Sequence, residues 1–167
     1  EFTILTKDFP QREKLNESFG YCRETWKGHN KKIEDFTDQA QEILNSDKMN
    51  ILRISDFNTN GLEGARDAEL GSPWSSLIKE AGSSNKSDNS GGSFGIGKSA
   101  PFLNSMLRTL FYSSYDVKGY ESHIGVANIM SFNLPDNKTT TGAGYYTNSE
   151  HSLAIPGQLQ FHNNFQR

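Results

Sequence analysis

The chain has 167 residues, of which 34% are hydrophobic and 11% aromatic, and its mean hydropathy is -0.69. This length and composition suffice for one domain with a hydrophobic core. The formal net charge is -3 and Lys and Arg form no cluster, so a nucleic-acid surface is not indicated. No apolar run approaches the roughly 20 residues that span a bilayer, and no membrane association is expected.

Cysteine and histidine usage argues against several kinds of site. Cys22 is the only cysteine, which excludes an internal disulfide framework or zinc knuckle and favours a reducing, cytoplasmic location. We expect it to be a small buried hydrophobe. The four His residues have no metal-ligand spacing, so no metal site is predicted within the chain. Because the chain begins at Glu1 without a Met and ends in polar sequence, we interpret it as a segment of a larger protein.

The first third of the chain predicts strand, helix, helix and strand. The strand is 2–6, and a helix after Pro10 has one apolar face and ends at Gly28. A second amphipathic helix is broken at 45–47, and 49–55 is predicted to be a buried strand. The two helical faces are Leu15, Phe19, Cys22 and Trp26, and Phe36, Ala40, Ile43 and Leu44.

The remainder predicts short helices followed by strands. Ser72 and Pro73 have the residue types of an N-cap and a first helical position. A further helix is predicted over 99–110, after a polar stretch rich in Gly, Ser and Asn. Strands are predicted at 110–114, 124–132 and 144–147, with a turn-rich link at 135–141. This order indicates an α+β fold with helices on one face of a mixed sheet.

Gly92–Ser99 matches the Walker A pattern G-x-x-x-x-G-K-S, which taken alone indicates a P-loop NTPase. In that class a buried strand precedes the loop and a helix follows it. The residues before Gly92 are strand-poor, and the apolar run ending in Asp56 precedes the loop instead of following it. The P-loop interpretation therefore remains an alternative.

The order of two motifs favours a different nucleotide site. An apolar run ends in Asp56 and continues as D-F-N-T-N-G, and the glycine-rich segment G-G-S-F-G-I-G-K follows after a long polar stretch. This order over 49–115 resembles the GHKL superfamily of gyrase, heat-shock chaperone, histidine kinase and MutL ATP-binding domains, including bacterial chaperone-like ATP-binding proteins. The resemblance implies a Bergerat-type two-layer sandwich. The whole chain, 1–167, would be one truncated ATP-binding domain, with 82–91 as its ATP lid.

The resemblance also implies site residues. Asp56 would accept a hydrogen bond from the adenine amino group, and Gly61, beside Asn60, would let the turn pass under the base. Lys98 would add a charge at the β or γ phosphate. The sequence has Asn58 where the family has its first glycine. The triphosphate would be wrapped by Gly92, Ser93, Phe94, Gly95, Ile96 and Gly97.

The family takes its general base and Mg²⁺ ligand from a helix with the pattern E-x-x-x-N. Glu42 and Asn45 are spaced three apart, so we expect the catalytic helix upstream of Glu1. The predicted function is an ATP-binding, and in the full-length protein ATP-hydrolysing, switch that uses ATP and Mg²⁺. The lid would drive homodimerisation or act on other domains of the same protein. Histidine-kinase phosphotransfer and a non-enzymatic binding module remain alternatives.

Overall fold

The computed structural model describes residues 1–79, 98–147 and 152–160, which fall into two compact units. The first contains Glu1–Asp56, Ala127–Gly144 and Gln160, and the second contains the described residues of Phe57–Val126 and Tyr145–Leu159. Among the described residues, no helix is long and apolar enough to cross a membrane. The predicted lid at 82–91 lies outside them.

The described residues form an α+β structure, which confirms the predicted class. They contain four α-helices and two antiparallel sheets, with strand orders β1-β2 and β3-β4-β5, and β6 also pairs with β4. The sequence predicted one mixed sheet instead. The helices are Arg12–Trp26 (α1), Lys31–Asn45 (α2), Pro73–Ile78 (α3) and Ala100–Asn104 (α4). The strands are Phe2–Leu5 (β1), Lys48–Ile51 (β2), Thr109–Tyr115 (β3), Glu121–Asn128 (β4), Ala143–Tyr146 (β5) and Ile155–Pro156 (β6).

In the first unit, α1 and α2 pack against each other through the faces that the sequence predicts. Phe19 and Cys22 are fully buried, which confirms Cys22 as a core residue. The ring of Phe19 meets that of Phe36 edge-on, with centroids 5.7 Å apart. Ala40 and Leu44 are also fully buried. The helical hairpin therefore buries one continuous apolar face, as its 3.6-residue period predicts.

The segment 127–144 is bonded to the C-terminal end of α1. The indole nitrogen of Trp26 donates to the carbonyl of Ser131 over 2.8 Å, and the backbone nitrogen of Asn133 donates to Thr25 Oγ1 over 3.0 Å. Phe132 is buried and its ring stacks on Tyr21. These contacts hold residues 131–133, just before the predicted turn-rich link, against α1.

In the second unit, α3 supplies the centre of the core. Ser72 caps it as predicted, because its side chain accepts a hydrogen bond from the backbone nitrogen of Ser75, and Pro73 begins the helix. Trp74 is completely buried. The core residues around it are Ala65, Ile78, Ile124, Val126 and Ala154.

The predicted buried strand at 49–55 is wrong in length and burial. β2 ends at Ile51, which pairs with Phe2 of β1, so the following residues have no partner in that strand. Leu52 and Ile54 are 68% and 83% exposed. A run of apolar residues predicts a strand, but pairing along its whole length depends on a neighbouring chain segment.

The predicted helix at 99–110 is also too long. α4 ends at Asn104, and Ser105 has extended backbone angles. The hydroxyl of Ser105 accepts from the backbone nitrogen of Thr109 and donates to its carbonyl, which offers the chain a local alternative to the helix. Leu103 and Met106 are 72% and 62% exposed.

The N-cap of α2 gives a stability prediction. The Asn30 side chain accepts hydrogen bonds from the backbone nitrogens of Lys32 and Ile33, so Asn30→Ala removes both. We expect a loss of about 1 kcal/mol in the free energy of unfolding, measured by urea denaturation. Gln39→Ala, at an exposed interior position of the same helix, is the control and should change it by less than about 0.5 kcal/mol. Equal losses in the two variants would contradict the capping role.

Candidate functional site

The structure describes four of the residues predicted to bind nucleotide. Asp56 is the last residue of the first unit's N-terminal segment and is exposed, outside any strand. Asn60 and Gly61 belong to the second unit, as does Lys98. The glycine segment 92–97 lies outside the described residues. Local geometry can therefore be analysed around Gly61 and around Lys98.

Gly61 occupies a position that only glycine fits. Its φ of +67° lies in the left-handed region, which costs little for glycine and more for other residues. A Cβ at this position would lie 2.2 Å from the carbonyl oxygen of Tyr115 and 2.8 Å from Cα of Asp116. Both obstacles are backbone atoms and cannot rotate away. The loop therefore passes directly against the end of β3.

Hydrogen bonds hold the loop on both sides of Gly61. The backbone nitrogen of Val117 donates to the carbonyl of Asn60 over 3.0 Å. The backbone nitrogen of Leu62 donates to Ser114 Oγ over 2.7 Å. The bond to Ser114 is partly buried, so it satisfies a polar group that close packing removes from water. The loop and the end of β3 consequently form one locally fixed structure.

The turn after β3 is organised by one buried carboxylate. Asp116 is 5% exposed, and its Oδ1 accepts hydrogen bonds from the backbone nitrogens of Lys118 and Tyr120, both over 2.9 Å. The backbone nitrogen of Gly119 donates to the carbonyl of Asp116 over 2.9 Å, which closes a β-turn. Asp116 and Gly119, three residues apart, are of the types that favour the first and fourth positions of a β-turn. Its contact with Gly61 was missed, because no sequence signal pairs segments so distant along the chain.

A shallow surface of about 440 Å³, largely open to solvent, lies beside this turn. Lys118 Nζ lies 2.6 Å from Glu63 Oε2, and this hydrogen bond and ion pair raise the pKa of Lys118. The surface is lined by Thr59, Tyr115, Asp116, Val117, Lys118 and Gly119. Of these residues, the sequence analysis included only Thr59, as part of the D-F-N-T-N-G motif.

Lys98 contacts α3 through its side chain. Its ammonium group donates to the carbonyl oxygen of Ser76, near the C-terminal end of that helix. A positive charge is favourable there because helix carbonyls point toward it. Lys79, the C-cap of the same helix, has its pKa lowered by burial. Two lysines therefore lie at this end of α3.

Other reactive side chains in the described ranges have structural surroundings. His123 is buried, and its Nδ1 lies 2.7 Å from the carbonyl oxygen of Gly157 while its ring stacks on Tyr146. Burial raises the pKa of the Cys22 thiol, which disfavours the thiolate that a nucleophile requires. Within 1–79, 98–147 and 152–160, no group of three or more His, Cys, Asp or Glu side chains could hold a metal ion.

Comparison with known proteins identified no relative. Neither the protein-family models, nor the curated proteins, nor the solved structures contain a match to this chain. Assignment of function therefore depends on the residues themselves.

The contact at Gly61 predicts a large difference between two glycine substitutions. Gly61→Ala and Gly71→Ala both place a side chain at positive φ, but a Cβ at Gly71 meets no atom within 4 Å. We expect Gly71→Ala to cost about 1 kcal/mol of unfolding free energy, and Gly61→Ala to cost roughly 1–3 kcal/mol more. Urea denaturation of both variants measures this difference. Equal stabilities would show that the Gly61 loop does not pack against β3 as described.

Proposed function

We propose that this chain binds ATP through segment 56–61 and the glycine segment 92–98, as the nucleotide-switch domain of a GHKL-type protein with a Bergerat fold. The observation that carries the proposal is the order of the two motifs, with Asp56–Gly61 before Gly92–Lys98. The motif resemblance assigns a glycine at the end of the first motif so that the chain can pass under the adenine. The left-handed backbone at Gly61 is compatible with that assignment, and the contact with the carbonyl oxygen of Tyr115 also requires glycine there.

The exposure of Asp56 is consistent with a role toward a ligand. Its carboxylate is exposed, and a carboxylate is a strong acceptor for an amino group such as that of adenine. A site built around a hydrogen bond to its substrate rejects analogues that lack the partner group. Asp56 would therefore select adenine over guanine, which carries an oxygen in place of that amino group.

The proposal gives Lys98 two alternative partners. Its ammonium donates to the carbonyl oxygen of Ser76. A phosphate would compete for the same ammonium, and a charge-assisted hydrogen bond to phosphate is stronger than a bond to a neutral carbonyl. Nucleotide binding would then release a contact at the end of α3. Such an exchange of partners is one way in which a nucleotide switch can change structure.

We place ATP hydrolysis in the full-length protein, with the general base and the Mg²⁺ ligand outside residues 1–167. Glu42 is exposed on α2, and the side-chain oxygen of Asn45 accepts a hydrogen bond from Asn16. Their spacing of three differs from the E-x-x-x-N pattern. Homodimerisation, or an action on other domains of the same protein, would be the output of this switch in the cytoplasm.

The P-loop NTPase is the second candidate, because Gly92–Ser99 matches Walker A. Two observations make it less favourable. The helix that follows the motif, α4, has only five residues. The strand that precedes an aspartate, β2, comes before the motif in the chain. A P-loop protein has its Mg²⁺-associated aspartate after the loop.

Asp56→Ala should lower ATP affinity at least tenfold while leaving the fold unchanged. It removes the side-chain acceptor for the adenine amino group, and one lost charge-assisted hydrogen bond costs roughly 1.5–3 kcal/mol. Calorimetry on the full-length protein measures this affinity. Asp67→Ala, which makes the same change at another exposed position, is the control and should bind as wild type does. Affinity of the Asp56 variant within threefold of wild type would contradict the adenine role.

Ser99→Ala separates the two ATP-binding classes. In a Walker site this hydroxyl ligates Mg²⁺, whereas here Ser99 is the residue before α4 and its side chain makes no capping hydrogen bond. We expect Mg²⁺-dependent ATP turnover of the full-length protein to stay within threefold of wild type. A loss of a hundredfold or more, partly rescued by a different divalent cation, would favour the P-loop class.

A further inference from the structure

We propose that Asp116 is a positioning residue for the nucleotide, because its turn fixes the loop that would face the base. This inference rests on the proposed ATP binding and extends it to a residue outside both motifs. Asp116 itself is buried and does not need to touch the ligand. Its effect would reach the ligand through the backbone of Val117 and Tyr115.

The first step is the rigidity of the turn. Oδ1 of Asp116 accepts two backbone hydrogen bonds, from Lys118 and Tyr120, and the backbone nitrogen of Asp116 donates to the carbonyl of Tyr120 over 3.1 Å. Burying a carboxylate is costly unless it is hydrogen-bonded. The two N–H groups compensate this cost only while the turn keeps its conformation. The buried charge therefore favours one geometry of the turn.

The second step is the transmission to the loop. The turn presents the backbone nitrogen of Val117 to the carbonyl of Asn60, and the carbonyl of Tyr115 lies directly against Gly61. One contact is attractive and the other is a steric limit. Together they leave the loop little freedom to move toward or away from β3. A displaced turn must displace Asn60 and Gly61 with it.

The third step is a second attachment beyond the loop. Glu63 forms its ion pair with Lys118, which lies on the same turn. An exposed ion pair contributes little to stability by itself. It does, however, attach the chain on the far side of Gly61 to the turn that Asp116 organises. The turn therefore contacts the loop segment both at Asn60 and at Glu63.

The consequence for binding is base selectivity. Asn60 and Gly61 share the D-F-N-T-N-G motif with Asp56, the proposed adenine acceptor. Binding groups need to be held within about 0.5 Å of their working positions by the residues that support them. Loosening of the turn should then weaken discrimination between ATP and GTP. A general loss of stability would lower both affinities in parallel.

The experiment measures ATP and GTP affinities of the full-length protein by calorimetry for four variants. Asp116→Ala removes the acceptor for both turn N–H groups, and Asp116→Asn retains a side-chain oxygen that can accept them. Val117→Pro deletes the N–H that binds Asn60, at a turn position where proline is favoured, so the turn itself should survive. Asp136→Ala is the matched control, since Asp136 accepts from Lys138 N in a turn of the first unit.

We expect Asp116→Ala and Val117→Pro each to lower ATP affinity at least tenfold and to reduce the ATP-to-GTP affinity ratio. Asp116→Asn should restore both quantities to within threefold of wild type, and Asp136→Ala should change neither. If Asp116→Ala does not fold, Val117→Pro alone decides the result.

Two outcomes would overturn the proposal, and they are distinguishable. If wild type binds ATP and Val117→Pro binds it with unchanged affinity and selectivity, the positioning role is wrong while ATP binding stands. If wild type binds neither nucleotide, the proposed function fails and the positioning role fails with it.

Discussion

The second unit depends on a close backbone contact between Gly61 and the end of β3. A loop can approach a strand this closely only where no side chain intervenes, and only if the chain can adopt a left-handed conformation there. The contact fixes the backbone position next to Leu62, and the Leu62 side chain packs at the edge of the core around Trp74. One glycine thus connects a surface loop to the hydrophobic interior. Substitution there affects both the loop and the packing below it.

The first unit is stabilised in a different way, by the burial of helix faces. Phe19 and Leu44 are completely excluded from solvent, and an Arg23–Asp38 ion pair crosses from α1 to α2. This ion pair lowers the pKa of Asp38, so its contribution to stability is present at neutral pH and is lost as the pH falls through the folded-state pKa. Because both side chains are substantially exposed, solvent screening keeps that contribution small. Apolar packing therefore dominates this unit.

Local signals in the sequence predicted local structure well and long-range structure poorly. The face of α1 and the Ser72 cap depend on residues within one or two helical turns, and both were predicted. The length of β2 depends on where its partner strand lies, and the apolar pattern carries no such information. α4 ends where the Ser105 hydroxyl forms hydrogen bonds with the backbone of Thr109, outside the helix. At the candidate site, the resemblance assigned Gly61 a place under the adenine, which stays a prediction, while its packing against β3 and the buried Asp116 were not predicted.

The exposed apolar residues after β2 have a physical explanation if adenine is the ligand. Adenine has two apolar faces and a polar edge, so its site needs apolar surface together with a hydrogen-bond acceptor. Leu52 and Ile54 are 68% and 83% exposed, and the exposed carboxylate of Asp56 follows them in sequence. Removing exposed apolar side chains from water is favourable, and a group of them often marks a binding surface. A planar base would cover apolar surface while its amino group satisfied the carboxylate, so a single ligand would account for both features of this segment.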